Sequence, residues 1–249
     1  MTTKKESVVI YRSGQNILSD VTPEQYHLSQ LYRKFISTVN LNQVCISFVT
    51  SDVLSTITYK YLHKTAEALA RGLFELNLLN KSKDDIGNDI ILIGVMANTR
   101  YEWFILEIAS WLLNATLVPL YSSLGKESMI HILNNTEMRV AFAGSSSINQ
   151  LGTIAAECKS FLKTIISFDD IYDPILGLKT LTMKDVVNAG LKSKIEFPAP
   201  DKGCIAQICY TSGTTGVPKG VVTTHKMIVS CLLGLYSVPY NIKTYTFML

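Results

Sequence analysis

The chain has 249 residues, 47% of them hydrophobic and 17% charged, with a net charge of +3. That length fits one large or two small domains, and the hydrophobic content excludes a disordered, solvating chain. With only 14 glycines and 7 prolines the chain is neither collagenous nor of low complexity, and so mild a positive charge leaves no footprint for nucleic acid.

Residues 1–50 form a lead segment with little pattern beyond one apolar helix. The opening residues lack the long apolar stretch of a secretory signal. From about residue 50 the pattern alternates. A strand near Ile57 leads into a helix with Leu62, Ala66, Leu69, Leu73 and Leu76 on one face, at spacings of four and three. Residues 81–88 read as a polar loop, and 90–96 as a strand buried on both faces. Thr99 and Glu102 have the spacing of a capping box for the next helix. Residues 103–120 are long and apolar enough to suggest a membrane span. Glu107, Asn114 and the Val118-Pro119 pair instead divide them into a buried helix and a strand.

Strands at 116–121, 140–142 and 164–168 then alternate with helices at 126–133 and 148–158, and Thr182 caps a helix running to Leu191. Strands alternating with helices predict an α/β fold with a mainly parallel sheet covered by helices. A Pro-rich break at 195–201 separates two units. The expected segments are therefore 1–50, 51–197 and 201–249, the last being the start of a second α/β layer. That layer holds a strand at 204–210, a loop, a strand at 220–224 and a helix from Lys226. Residues 244–249 read as a strand just begun, so the chain is expected to be the first part of a longer protein.

The five cysteines, Cys45, Cys158, Cys204, Cys209 and Cys231, lie in apolar stretches and are expected to be buried free thiols rather than a disulfide framework. Cys204 and Cys209 have no second Cys or His pair in zinc-site spacing, so no metal site is expected. His27, His63 and His131 are read as surface or satisfied residues, and Trp103, Trp111 and Tyr210 as packing residues.

Chemistry concentrates in Tyr210-Thr-Ser-Gly-Thr-Thr-Gly-Val-Pro-Lys219-Gly220. Its hydroxyls (Thr211, Ser212, Thr214, Thr215) can donate to phosphate oxygens, and Gly213 and Gly216 let backbone amides turn toward an anion. Lys219 adds a mobile positive charge. Set between two strands, the string describes a polyphosphate cradle. It is not a Walker loop, since no Gly-Lys-Ser/Thr follows, and no G-x-G-x-x-G occurs.

This string resembles the phosphate-binding signature of the adenylate-forming (AMP-binding) superfamily. Residues 56–60, 66–73 and 93–103 are similar to that family's opening strands and helices. Residues 118–142 resemble its long-chain fatty acyl-CoA synthetase branch. The resemblance implies the first part of a large N-terminal domain, and ATP-dependent conversion of a long-chain fatty acid to acyl-adenylate and then acyl-CoA. ATP, Mg²⁺ and coenzyme A would be the cofactor and co-substrates. Thr211, Ser212, Gly213, Thr214, Thr215, Gly216 and Lys219 would hold the ATP phosphates, with Thr214, Thr215 and Lys219 stabilising charge during catalysis. His225 is similar to a histidine the family often keeps after this second strand, where either a nucleotide contact or a structural role is open. The family's adenine motif, ribose aspartate, hinge and small domain with its catalytic lysine are not found in these 249 residues, so the chain alone is expected to be inactive. The implied location is cytoplasmic or peripheral on an intracellular membrane, and the apolar residues 231–236 and 245–249 are expected to favour self-association of the chain. Two alternatives stay open: adenylation of another carboxylic or amino acid, and a non-catalytic nucleotide-binding module.

Overall fold

The computed structural model describes residues 7–10, 27–50, 53–84, 87–157, 161–170, 175, 177–201, 203–212, 216–237 and 245–248. In chain order come β1 (Ser7–Ile10), α1 (Leu28–Ile36), β2 (Val44–Thr50), β3 (Val53–Thr58) and α2 (Tyr59–Glu75). There follow β4 (Lys81–Lys83), β5 (Asp89–Met96), α3 (Tyr101–Leu112), β6 (Thr116–Pro119), α4 (Lys126–Thr136) and β7 (Val140–Ala143). Next are α5 (Ser145–Glu157), β8 (Thr164–Ser167), β9 (Lys179–Thr182) and α6 (Met183–Leu191). The last elements are β10 (Ile205–Thr211), β11 (Lys219–Thr224), α7 (His225–Ser237) and β12 (Tyr245–Met248).

An eight-stranded sheet organises the fold, in the order β11-β10-β6-β5-β7-β8-β9, with β4 laid against the start of β5. From β10 to β9 all neighbours are parallel, while β11 and β4 pair antiparallel. The continuous apolar run of β5 has a direct cause. Ile93 and Val95 join Leu69 and Leu73 of α2, Ile105 of α3 and Val186 of α6 in one core. Leu92 and Met96 join Ile132 of α4 and Leu151 of α5 in the other. Both faces are covered, as parallel sheets require. The α2 stripe buries Leu62, Ala66, Leu69 and Leu73, while Leu76 becomes the C-cap. Against this helix α6 packs at backbone contact: a Cβ on Gly190 would lie 1.7 Å from the Ala68 carbonyl oxygen.

Several expectations are corrected. Thr99 does not cap α3. The N-cap is Arg100, and Glu102 accepts from the Arg100 guanidinium at 2.9 Å instead of reaching back to a free amide. At Thr182 the capping box does form, with Asp185 as its acidic partner. Residues 81–83 of the expected loop form β4. The layer expected to begin near residue 201 joins the existing sheet, because β10 pairs with β6 at Gln207↔Leu117. Cys45 is buried, but Cys204 and Cys209 are half-buried and Cys231 is exposed; all four are free thiols, and Cys158 lies outside the described residues. Trp103 and Trp111 pack, partly buried, against the core. Among the described residues no helix is long and apolar enough to cross a membrane. The C-terminal strand exists as β12, antiparallel to β1.

Candidate phosphate-binding site

Because β10 runs parallel to β6, its last residue, Thr211, lies on the carboxyl-end edge of the sheet. That is the edge where open α/β sheets take their ligands. The hairpin register sets Thr211 directly opposite Lys219 and Tyr210 opposite Gly220. The sheet is therefore left at Thr211 and re-entered at Lys219 on that edge, with a hydroxyl on one rim and an ammonium on the other. Thr211, Ser212 and Lys219 are exposed, while Pro218 is buried and fixes the loop's return. Gly216 has φ +80°, a left-handed conformation that a residue with Cβ adopts at a cost. Beneath the loop Tyr210 is buried, and its hydroxyl donates to Asn135 Oδ1, tying β10 to α4. This is the packing role expected of it. Gly213, Thr214 and Thr215 lie outside the described residues.

The chemistry of this donor set is anionic recognition. Residues 211–219 contain no carboxylate, and among the described residues Lys219 enters no ion pair. The loop thus offers hydroxyls, amides and one unneutralised cation to a phosphate. It offers a hard divalent cation hydroxyl and carbonyl oxygens but no carboxylate, so Mg²⁺ fits here as a companion of the nucleotide phosphates rather than as a metal held by these side chains alone.

His225 is not brought to this loop. The pairing Ile205↔Thr224 places it at the root of the hairpin, and a seven-residue strand separates root from loop by about 20 Å. There it is 1% exposed and stacks on His27, ring centroids 3.5 Å apart. Burial pushes His225 down to about 3 and His27 down to about 4, so both rings are neutral at physiological pH. The expectation that His27 is a surface or satisfied residue fails. It is buried as the N-cap of α1, with its Nε2 unpartnered. His63 is partly buried, and its Nδ1 hydrogen-bonds to the Tyr32 hydroxyl.

A second polar group on the carboxyl edge was not signalled by any motif. Arg100 donates to both Glu102 and Asp169, and the Ser145 amide donates to Asp169 at 2.7 Å. Burial raises the Asp169 carboxyl, but the Arg100 guanidinium and the Ser145 amide outweigh it and hold the group below the usual range. This network ties the ends of β5, β7 and β8 together beside the start of α5. Its members are far apart in sequence and of common types, so only the topology reveals them.

The sequence model of the AMP-binding enzyme family matches residues 39–247. Fatty acyl-CoA synthetase B of Dictyostelium discoideum is 35% identical over 189 residues, covering 72% of this chain and 26% of that protein. Human long-chain-fatty-acid–CoA ligase 1 is 31% identical over 184 residues, covering 70% and 25%. The chain thus spans about a quarter of the length of the curated relatives it matches. In fold it is similar to the adenylation domain of a carboxylate reductase from Mycobacterium chelonae, with TM-score 0.68 and 16% identity, covering 86% of this chain and 36% of that one. A family match running from residue 39 to 247 places it: this protein belongs to the AMP-binding enzyme family, the adenylate-forming enzymes.

Proposed function

We propose that the chain supplies the polyphosphate-holding part of an ATP-dependent ligase that converts a long-chain fatty acid to an acyl-adenylate and then to acyl-CoA. The observation that carries this reading is the opposition of Thr211 and Lys219 on the carboxyl edge of the sheet. The relatives named above, both fatty-acid ligases by name, support the substrate class. In the first half-reaction a carboxylate attacks the α-phosphorus of ATP and pyrophosphate leaves; in the second the thiol of coenzyme A displaces AMP.

The physical difficulty is the meeting of two anions. In this reading Thr211, Ser212, Thr214 and Thr215 donate to the β- and γ-phosphate oxygens, alongside amides freed by Gly213 and Gly216. Lys219 answers the charge that grows on the departing pyrophosphate. A preorganised set of donors of this kind acts by positioning and by stabilising developing charge. Pro218, buried under the loop, keeps Lys219 at its rim. The segments 1–50, 51–197 and 201–249 serve as lead, sheet platform and phosphate-binding hairpin.

ATP–pyrophosphate exchange across a panel of carboxylic and amino acids tests the proposal, using the longest reading frame that contains this chain. Exchange stimulated most by long-chain fatty acids supports it. Stimulation by amino or aromatic acids alone moves the chain to another branch of the family, and nucleotide binding with no exchange for any acid points to a non-catalytic module.

A further inference from the structure

At the root of the β10–β11 hairpin, away from the loop, His27, Cys204 and His225 bring one ligand atom each to within 4.8 Å of one another. They belong to three elements: His27 caps α1, Cys204 precedes β10, and His225 opens α7. Both histidines are 1% exposed. The Nε2 of His27 and both ring nitrogens of His225 have no hydrogen-bond partner among the described residues. A buried polar atom left without a partner keeps its full desolvation cost, and three at one point require an explanation. Leu28, Leu31, Ala206 and Val229 form the small apolar core beside them, so no polar side chain of that core fills the gap.

We propose that His27, Cys204 and His225 bind one transition-metal ion of the Zn²⁺ class, fastening α1 to the root of the hairpin that carries the phosphate-binding loop. Two imidazoles and a thiolate form a donor set that zinc accepts and that magnesium or calcium does not. On a tetrahedral zinc such ligand atoms stand about 3.3–3.7 Å apart, so the three need close by only about 1 Å from their present span. The rings, stacked with 31° between their planes, splay as their nitrogens converge. The Cys204 thiol now donates to the Asn114 carbonyl oxygen at 3.0 Å. On binding, the S–H bond breaks, its electron pair forms the sulfur–metal bond, and the proton passes to solvent. His27 Nδ1 accepts from the Ser29 amide at 3.1 Å and lies 3.0 Å from the Ser29 hydroxyl. A metal on Nε2 selects the tautomer protonated at Nδ1, which donates to that hydroxyl and orients the ring; the amide bond of the helix cap is given up in exchange. Asp201, whose negative charge acts on both His27 and Cys204, offsets the charge of the ion.

The test uses the whole 249-residue chain, reduced, stripped with a chelator and titrated with Co²⁺ and then Zn²⁺. One equivalent of Co²⁺ is expected to give a thiolate-to-cobalt charge-transfer absorption, which Zn²⁺ abolishes by displacement. Cys204→Ser is expected to lose that absorption. His225→Gln is expected to keep it while weakening metal binding roughly tenfold or more. Cys209→Ser, as a control, is expected to change neither. A folded wild-type chain without the absorption at millimolar Co²⁺ overturns the assignment, as does an absorption that survives Cys204→Ser. Should a variant not fold by circular dichroism, X-ray absorption of the zinc-loaded wild type decides. One sulfur in the first coordination sphere supports the site, and a shell of nitrogen and oxygen alone refutes it.

Discussion

Gly190→Ala tests the packing on which the sheet platform rests. A Cβ at this position would lie 1.7 Å from the Ala68 carbonyl oxygen and 2.6 Å from the Gly72 nitrogen. Both obstacles are main chain of α2, so no rotamer change relieves them. To restore an ordinary contact of about 3.4 Å, α6 must retreat from α2 by more than 1 Å, loosening Met183 and Val186 against Leu69 and Leu73. Overpacking of this kind costs about 1–3 kcal/mol, and a rigid backbone obstacle puts it at the upper end. Alanine recovers about 1 kcal/mol of helix propensity over glycine, leaving a net loss of about 2 kcal/mol. For a chain of this size that lowers Tm by about 4–8 °C. The matched control is Gly234→Ala in α7, where nothing among the described residues lies within 4 Å of the added Cβ, so the propensity gain stands alone and stability is expected to be unchanged or raised. Thermal unfolding by circular dichroism reads both. A Gly190→Ala protein as stable as the Gly234→Ala protein would show that α6 and α2 are not held at backbone contact.

Thr182→Ala removes the capping-box hydroxyl that accepts from the Asp185 amide and is expected to cost about 1 kcal/mol, measured by urea unfolding. Lys219→Ala is expected to slow adenylate formation roughly tenfold to a hundredfold, the loss of one charge-assisted contact of about 1.5–3 kcal/mol. Fatty-acid affinity should stay unchanged, because the ammonium meets the phosphates and not the acyl chain; equal pyrophosphate exchange in mutant and wild type would contradict this. His225→Gln is expected to leave tripolyphosphate affinity unchanged, since the residue stands at the far end of the hairpin from the loop; calorimetry decides. The 249-residue chain alone is expected to form no thioester from ATP, Mg²⁺, a long-chain acid and coenzyme A, and turnover above a no-enzyme control would show that the reacting groups lie within it.

What the sequence disclosed and what it withheld follow from the range of the interactions involved. The α2 stripe and the apolar run of β5 were legible because burial on one or two faces imposes a local period. The candidate phosphate loop could be picked out as a segment because its residues are contiguous between two strands. Its placement on the carboxyl edge could not be, since that depends on β10 returning beside β6, a pairing between distant segments. The capping box expected at 99–102 failed because the Arg100 guanidinium, also held by Asp169, takes the Glu102 carboxylate; a partner 69 residues away cannot be seen in a four-residue motif. For His225 the sequence left a nucleotide contact and a structural role open, for the same kind of reason. Following a strand that leaves the loop, it sits a full strand length away, and its neighbours His27 and Cys204 come from other elements. The ordinary metal-site spacings register ligands close in the chain and pass over such a group.

Binding of a polyphosphate by residues 211–219 is the property on which the proposed function depends. Its most direct measurement is residue-resolved amide chemical shifts of the chain titrated with Mg²⁺-tripolyphosphate, repeated with Lys219→Ala. Saturable shifts concentrated at Thr211–Lys219 are expected, weakened roughly tenfold or more in the variant while the sheet is unperturbed. Shifts centred elsewhere, or shifts at the loop that are equal in the variant, would contradict it.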